Sequence, residues 1–371
     1  MTRSTWSAAI ALTATTTLLL SACGGASGTA TSSSAASAAT SAAGGSSASS
    51  AATASAAPSV PAEALNIIAP LSGQLGDQSF MDSANDGLQR AAADLGVSVK
   101  VIEAGADDAP AWERNLTEAS ATGESGLIVT GGTVMASTLE KVAAQFPDQK
   151  YLIFDSPSVG PNTTGISYAQ NEGAFLVGVL AALITTNPDT FPRATGSKKI
   201  GLVGGMDIPV IRDFAVGYEQ GAKSIDPSIT VDLRFVGDFE SAQGAYDLTK
   251  AMYGDGSDVV YQVAGAAGLG VLQAGADNGR YALGTDSDQN QLHPESTPAS
   301  AIKAVGNTVY SGIQAFQAGT LEMGTTIVGN IANDGVGIAF NDALVPADIQ
   351  AQVEALSQKV VDGTITVDTA L

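Results

Sequence analysis

Short apolar runs rich in isoleucine and valine alternate with helical patterns along most of the chain, and this alternation limits the folds that the chain can adopt. Near-continuous apolar strands separated by helices are typical of parallel sheets whose two faces are both covered. We expect an α/β protein in which the first four runs form one doubly wound sheet and the next four form another. The predicted strands are 65–69, 97–104, 126–130, 151–155, 199–203, 231–236, 259–263 and 281–286.

The segment between the first two strands shows the helical pattern most clearly. Phe80, Ala84 and Leu88 recur at helical spacing, Leu95 continues the series, and Gly96 provides a stop signal. The sequence therefore predicts a helix at 79–95. By the same criterion, further helices are predicted at 111–122, 134–145, 172–184, 210–224, 242–254, 269–278 and 305–318.

Loops that contain glycine or aspartate follow the carboxyl ends of most of the predicted strands. In open α/β sheets, ligands bind beyond the carboxyl ends of the strands, and two such lobes would leave a cleft between them. Glycine lets the backbone approach a ligand, but it is also common in ordinary turns, so only its recurrence at this position is informative. These loops are 70–73, 130–132, 155–157, 204–207, 237–239, 264–268 and 286–288.

The N-terminal segment has the pattern of a secretory signal, because Arg3 precedes an apolar stretch that ends in Leu-Ser-Ala-Cys23. This ending resembles a bacterial lipobox, which predicts a signal peptide at 1–22 and lipidation of Cys23. The alternative is an ordinary signal with an unrelated cysteine. Cys23 is the only cysteine, so no disulfide can form within the chain. The expected location is the extracytoplasmic face of the cell membrane, through a lipid anchor.

Residues 24–60 are almost entirely alanine, serine, threonine and glycine. This composition cannot bury enough apolar surface to offset the entropy of ordering, so we expect 23–60 to be a lipidated cysteine followed by a disordered linker. The interspersed serine, threonine and glycine residues argue against the alternative of an alanine-rich helix. The composition changes after Pro58, and 61–371 is long enough for two lobes.

The chain is strongly acidic, with 37 aspartate and glutamate residues against 16 lysine and arginine residues and a formal net charge of −21. Such a charge argues against nucleic acid or an anionic membrane surface as a partner. It does not define the charge of a ligand, since a pocket can oppose the net sign of its protein.

Several short blocks occur in a fixed order between about residue 65 and the C-terminus. They are 76–80 (GDQSF), 146–155 (FPDQKYLIFD), 172–178 (EGAFLVG), 204–218 (GGMDIPVIRDFAVGY), 268–271 (GLGV) and 284–289 (GTDSDQ). As an ordered set, these blocks resemble one family, the basic membrane protein family of substrate-binding lipoproteins of ABC importers, which includes a bacterial purine nucleoside receptor.

The resemblance implies a type I periplasmic-binding-protein fold, with two lobes joined by a hinge around a cleft. It places 61–168 and 288–320 in the first lobe, and 169–287 and 321–371 in the second. It also implies a monomer that binds a small molecule, a nucleoside or a sugar-like solute, and that serves ABC permease subunits and their ATPase.

The resemblance further assigns an aromatic pair to the ligand site. Phe80 matches a ring that stacks on the purine base in the family's nucleoside receptor, and we place a second ring at Phe239. Aromatic faces bind planar heterocycles without exact hydrogen-bond register. The alternative is that both phenylalanines pack in the core, as most phenylalanines do.

The same comparison assigns polar groups to the site. Asp286 and Lys303 resemble a ribose clamp, backbone groups near Gly265 and Gly268 line the same end, and Asp155 matches a carboxylate near the base. Buried donors and acceptors of this kind discriminate against ligands that lack the matching hydroxyls. The alternatives are a surface lysine at 303 and a turn or helix cap at 286.

Two positions depart from the family pattern. Met81 stands where the family has asparagine, and Pro70-Leu71 replaces an expected aspartate. Both lost groups are polar, and methionine packs well against varied apolar edges. The ligand therefore remains open between a purine nucleoside, another nucleoside, a modified base and a sugar-like molecule.

The sequence offers little chemistry for an enzyme. It has one histidine, His293, no metal-ligand cluster and no phosphate-binding Walker loop. Residues 265–270 miss the dinucleotide fingerprint because Gln273 stands where its last glycine would be. We therefore predict a binding protein without catalytic residues, metal or cofactor. A nucleoside-processing enzyme and a structural surface lipoprotein remain as weaker alternatives, and the secretion signal argues against a transcription regulator.

Overall fold

A computed structural model describes residues 65–371. The predicted signal peptide, Cys23 and the predicted linker lie outside the described residues. All eight predicted strands are present, together with four that the sequence analysis missed, β5, β10, β11 and β12. The strands are β1 (Asn66–Pro70), β2 (Ser98–Ile102), β3 (Leu127–Gly131), β4 (Tyr151–Phe154), β5 (Thr163–Tyr168), β6 (Lys199–Gly204), β7 (Thr230–Phe235), β8 (Val259–Val263), β9 (Tyr281–Asp286), β10 (Ala299–Lys303), β11 (Thr326–Gly329) and β12 (Val336–Phe340).

These strands form two six-stranded sheets with the same internal order, which confirms the predicted two-lobed α/β fold. The first sheet has the order β11-β5-β4-β3-β1-β2, and the second has the order β12-β10-β9-β8-β6-β7. Neighbouring strands are parallel except for the antiparallel pair β10 and β12. The inner strands β3, β4, β8 and β9 are buried along their whole length, as expected for sheets with helices on both faces.

The last third of the chain is divided between the sheets differently from the expectation. Strand β10 lies in the second sheet although 288–320 was placed in the first lobe. Conversely, β11 is an edge strand of the first sheet although 321–371 was placed in the second lobe. Strand β11 joins the first sheet at its edge, whereas β10 lies between β9 and β12, and local sequence does not show which sheet such a strand joins.

All eight predicted helices are present, with ends within two residues of the prediction, and α9 was not predicted. The helices are α1 (Phe80–Leu95), α2 (Ala109–Ala121), α3 (Ala136–Gln145), α4 (Gln170–Thr186), α5 (Pro209–Ile225), α6 (Ala242–Gly254), α7 (Gly268–Asp277), α8 (Val305–Gln317) and α9 (Ala347–Val361). Helices α1 and α8 cover one face of the first sheet, and α2 and α3 cover the other.

The second lobe is built around α4, which is buried on nearly every side. An all-round apolar helix belongs in the interior of a domain. Its neighbour α5 approaches it closely because Gly217 and Gly221 face the α4 backbone, where a Cβ atom would lie 2.0 Å from the carbonyl oxygen of Asn171 and 2.1 Å from that of Phe175. This tight pair packs in one apolar core with the strands of the second sheet.

Candidate functional site: the cavity between the two lobes

A cavity of about 290 Å³ lies where loops from the carboxyl ends of both sheets meet. Its volume is near the lower end of the roughly 300–1,000 Å³ typical of small-molecule sites. Seven of the eight residues predicted to bind the ligand line it, and Gly268 does not. The seven are Phe80, Met81, Asp155, Phe239, Gly265, Asp286 and Lys303.

Phe80 is the first residue of α1, and a network of carboxylates holds the preceding loop. The carboxylate of Asp77 accepts hydrogen bonds from the backbone N–H groups of Ser79, Met81 and Asp82 at 2.8–3.0 Å. These bonds satisfy donors at the start of the helix that have no partner within it. The Phe80 ring is therefore presented from a fixed turn, with its centroid 5.5 Å from that of Phe154.

Phe239 reaches the same cavity from the second lobe, on the loop that follows β7. Its carbonyl oxygen accepts a hydrogen bond from the N–H of Ala267 at 2.9 Å. Its ring lies over Gly205, where a Cβ atom would come within 2.3 Å of the ring. Phe80 and Phe239 therefore lie on opposite lobes and line one cavity. The alternative interpretation placed both rings in the core instead.

Lys303 ends β10 and is 3% exposed, so the interpretation as a surface lysine is wrong. Its ammonium group forms an ion pair with the carboxylate of Asp155. It also lies 5.1 Å from the ring centroid of Tyr168 and 5.4 Å from those of Phe80 and Phe214. Rings at this distance attract a cation through their negative faces. The charge is therefore held by a carboxylate and by rings from both lobes.

Asp155 and Asp286 occupy equivalent positions, directly after β4 and at the end of β9. Both have left-handed backbone conformations, with φ of 59° and 68°, and both are 8% exposed. Aspartate tolerates this conformation better than most residues. The Oδ2 atom of Asp286 accepts a hydrogen bond from the Ser79 hydroxyl at 2.8 Å, so this carboxylate links the two lobes.

Burial determines the protonation behaviour of both carboxylates. It raises the pKa of Asp286 to about 6, against the lowering effects of Lys303 and the Ser79 hydroxyl, while Asp155 and Asp77 add repulsion. Burial also raises the pKa of Asp155, and Lys303 opposes that shift. Raised pKa values in a cleft are typical of functional groups.

The two departures from the family pattern lie in different environments. Met81 is 8% exposed and lines the cavity. It packs against Gly73, where a Cβ atom would lie 2.9 Å from the Met81 methyl carbon. Leu71 is fully buried in the core of the first lobe. The cavity therefore has an apolar thioether beside the ring of Phe80.

Gly268 has a different place from the one predicted. It begins α7, and a Cβ atom there would lie 2.0 Å from the side-chain oxygen of Gln262. It is buried at the start of that helix and does not line the cavity. Gly265, with φ of 56°, does line the cavity.

Sequence reasoning missed several lining residues. An apolar wall comes from the start of α5 and the loop before it, and acidic groups come from Asp77 and Glu240. The block 204–218 was identified by resemblance and a helix was predicted at 210–224, but no residue of either was assigned to the ligand site. The apolar wall consists of Ile208, Val210, Ile211 and Phe214.

Two features are absent from residues 65–371. In this part of the chain, no three or more histidine, cysteine, aspartate or glutamate side chains are grouped so as to hold a metal ion. No helix there has the length and apolar character needed to cross a membrane.

The family assignment follows from comparison with known proteins. Residues 64–370 match the model of the Bmp family, described as ABC transporter substrate-binding protein, PnrA-like. A two-lobed protein with an interlobe cavity is the architecture of solute-binding proteins, and this chain belongs to the Bmp family of ABC transporter substrate-binding proteins. The predicted family is therefore confirmed.

Individual relatives agree with this assignment. The chain is similar to the ABC transporter nucleoside-binding protein BmpA of Lactococcus lactis subsp. cremoris, with 32% identity over 78% of this chain and 85% of the relative. It is also similar to Basic membrane protein A1 of Borrelia garinii subsp. bavariensis, with 28% identity over 83% and 90% of the two chains.

Among solved structures, the chain resembles the ABC transporter system solute-binding proteins from Aeropyrum pernix K1. The TM-score is 0.73 at 27% identity, over 82% of this chain and 93% of that chain. These relatives are solute-binding proteins, so the prediction of a binding protein rather than an enzyme is confirmed. Substrate-binding proteins of ABC transporters act on the extracytoplasmic side of the membrane.

Proposed function

We propose that this protein captures a nucleoside, or a similar solute that joins a flat ring to hydroxyl groups, and delivers it to an ABC importer. The observation that carries the proposal is the meeting of Phe80 and Phe239, from opposite lobes, with Asp286 and Lys303 on one cavity. A ring pair and a charged hydroxyl-binding group are what such a two-part ligand requires. The similarity to a nucleoside-binding protein of Lactococcus lactis supports the same ligand class.

The flat ring and the hydroxyl groups of the ligand would be recognised by different interactions. A planar base between Phe80 and Phe239 would gain stacking energy, which alanine replacement removes at a cost of about 1–3 kcal/mol per base in other systems. The Oδ1 atom of Asp286 has no hydrogen-bond partner among residues 65–371, so it can accept from a ligand hydroxyl while Oδ2 accepts from Ser79. Losing that hydroxyl would leave a buried acceptor unpaired.

Ligand binding would also drive closure of the cleft. A ligand shifts a conformational equilibrium only through a higher affinity for one state, so it must contact both lobes in the closed form. This requirement is supported by Phe80 on the first lobe and Phe239 on the second, which line one cavity. The N–H of Ala106 also donates to Oε1 of Glu240 across the mouth of the cavity at 3.0 Å. Closure would then present the loaded shape to the permease.

The remaining parts of the proposal concern attachment and partners. We infer that Cys23 carries the lipid that holds the protein, as a monomer, at the extracytoplasmic face of the cell membrane. The linker would let the binding unit reach the permease subunits, whose ATPase drives import. Phase partition in a detergent tests the anchor: the wild-type protein should enter the detergent phase, and Cys23→Ala should remain in the aqueous phase. Equal partition of both would refute lipidation.

The ligand itself is best tested by calorimetry and thermal shift on purified full-length protein with nucleosides, free bases, pentoses and hexoses. We expect a nucleoside to bind, and Phe80→Ala and Asp286→Ala each to weaken binding strongly. Phe146→Ala is the control, because Phe146 is a partly buried ring in the first lobe that does not line the cavity. Binding of a sugar that Phe80→Ala leaves unchanged would overturn the stacking model and favour the sugar receptor.

A further inference from the structure

A buried amide lies behind the cavity and contacts segments of both lobes. Gln289 is 1% exposed, follows β9, and does not line the cavity. Its Nε2 atom donates to the carbonyl oxygen of Gln78 in the first lobe at 3.1 Å. Its Oε1 atom accepts from Nε2 of Gln262 at 2.7 Å and from the backbone N–H of Thr285 at 3.0 Å, both in the second lobe.

The direction of every bond in this network is determined by backbone partners. The N–H of Thr285 can only donate, so the atom of Gln289 that faces it must be the oxygen. The carbonyl of Gln78 can only accept, so the other atom must be the nitrogen. In the same way, the N–H of Ala264 donates to Oε1 of Gln262 at 3.0 Å, which leaves the Gln262 nitrogen to donate to Gln289. The side chain has no second orientation that satisfies these groups.

Each partner of Gln289 adjoins a different part of the cavity wall. Gln78 lies two residues before Phe80. Gln262 and Ala264 precede Gly265, and Thr285 precedes Asp286. The cavity-lining segments at 76–81, at 263–266 and at Asp286 are therefore tied to one amide group.

Two glycines make room for this network. A Cβ atom at Gly268 would lie 2.0 Å from Oε1 of Gln262, and one at Gly284 would lie 2.8 Å from Oε1 of Gln289. A larger residue at 268 would displace the amide of Gln262, and one at 284 would displace the amide of Gln289 or the hydroxyl of Ser300. The glycine that sequence analysis assigned to the ligand therefore supports the group that positions the ligand loops.

We propose that Gln289 is a positioning residue whose amide holds the ligand loops of both lobes in register, an inference that rests on the proposed function. Preorganised loops lose less entropy when a ligand binds, so the amide would contribute to affinity without touching the ligand. It would also couple the two lobes, since a shift of the loop at 76–80 would be transmitted to the second-lobe segments at 264 and 285.

The first test needs no ligand. Hydrogen exchange is measured on the full-length ligand-free protein, for the wild type and for Gln289→Met, which removes the amide with little change in volume. We expect exchange to accelerate by about tenfold or more in both 74–82 and 262–268, since each segment loses a buried hydrogen bond. The control is Asn162→Leu, which removes a buried amide that donates to three carbonyls away from the cavity.

The second test uses adenosine as the probe and Gln289→Glu as the variant. A glutamate keeps the acceptor for Gln262 and Thr285, but when ionised it places an oxygen against the Gln78 carbonyl. When protonated, it can donate to that carbonyl again. We expect adenosine affinity to fall about tenfold at pH 8 relative to the wild type. The adenosine affinity of Gln289→Glu relative to the wild type should recover towards pH 5. The relative affinity of Gln289→Met should not.

The outcomes separate this inference from the ligand assignment. Faster exchange in both segments for Gln289→Met and Gln289→Glu, but not for Asn162→Leu, would support it even if adenosine does not bind. Faster exchange confined to 285–300, or equal changes in the control, would overturn it and leave the proposed function intact. If Gln289→Met does not fold, the exchange of Gln289→Glu at pH 8 and pH 5 decides the same question.

Discussion

Lys303, at the end of a second-lobe strand, forms an ion pair with Asp155, which directly follows a first-lobe strand. The pair is almost completely buried and lies at one of the places where the chain passes between the lobes. Burial of two charges carries a desolvation cost that only close pairing offsets. The pair therefore fixes the relative position of two strand ends that both line the cavity.

Lys303→Met should destabilise the protein in a pH-dependent way. Removing one partner of a buried pair typically costs about 3–5 kcal/mol, because the other charge is left unpaired. Without the lysine, the pKa values of Asp155 and Asp286 would rise further, so both carboxyl groups would be neutral and free of desolvation cost at pH 5. The loss in melting temperature should thus be large at pH 8 and smaller at pH 5.

Lys198→Met is the control for that experiment. Lys198 forms an exposed ion pair with Asp226, and exposed pairs contribute about 0–1 kcal/mol. A loss for Lys303→Met that is as small as in this control, or the same at both pH values, would contradict a buried pair in the folded protein.

Asp286→Asn should stabilise the ligand-free protein at neutral pH while weakening ligand binding. The folded-state pKa of Asp286 is about 6 against 3.8 in the unfolded chain. Because the value is raised, ionisation in the folded state costs free energy that is absent below pH 4, grows between pH 4 and 6, and is complete above pH 6. The difference corresponds to about 3 kcal/mol at most.

Chemical denaturation at pH 4 and pH 7.5 checks this prediction. The gain in unfolding free energy for Asp286→Asn should appear at pH 7.5 and vanish at pH 4. Asparagine can still accept from the Ser79 hydroxyl, so that bond need not be lost. A variant less stable than the wild type at pH 7.5 would show that Asp286 contributes more to the fold than its burial costs.

Local sequence predicted the strands that have a continuous apolar run and missed those that lack one. The strands found from apolar runs, such as β3 and β8, are buried on both faces, which requires a continuous apolar sequence. The missed strand β11 is short, with three of its four residues exposed, and β5 contains a glycine and several polar residues. Such strands are specified by the neighbour that they join, which is a tertiary contact.

The site depended still more on long-range contacts. Ser79 and Asp286 are 207 residues apart in the sequence and are joined by one hydrogen bond, and no local pattern predicts that pairing. Family resemblance supplied Phe80, Asp286 and Lys303 as a set. The resemblance did not predict the environment of Gly268, because a glycine after a strand carries no local signal that distinguishes a ligand from a buried amide as its neighbour.

Glu240→Ala should accelerate ligand release. The Glu240 carboxylate accepts from the N–H of Ala106 across the mouth of the cavity, and this bond must break before the lobes separate there. A hydrogen bond to a charged group contributes roughly 1.5–3 kcal/mol, and less at an exposed residue such as this one, so we expect a change of about threefold to tenfold in the dissociation rate.

Stopped-flow dissociation of the ligand identified by calorimetry measures this effect. Glu240→Gln keeps an acceptor oxygen at the same position and should dissociate almost like the wild type. If the alanine and glutamine variants release the ligand equally fast, the carboxylate acts through its charge rather than through the bond to Ala106.

Gly217→Ala should destabilise the second lobe because the added Cβ atom would lie 2.0 Å from the carbonyl oxygen of Asn171 on α4. Backbone cannot yield as a flexible side chain can, so α4 and α5 must separate, and overpacking of this kind typically costs about 1–3 kcal/mol.

Gly254→Ala is the matched control, since Gly254 is also helical and no atom lies within 4 Å of its added Cβ. There, alanine should be neutral or should stabilise by up to about 1 kcal/mol through its higher helix propensity. Thermal unfolding of both variants decides the point, and a Gly217→Ala protein as stable as the control would mean that the two helices are not held at the distance described.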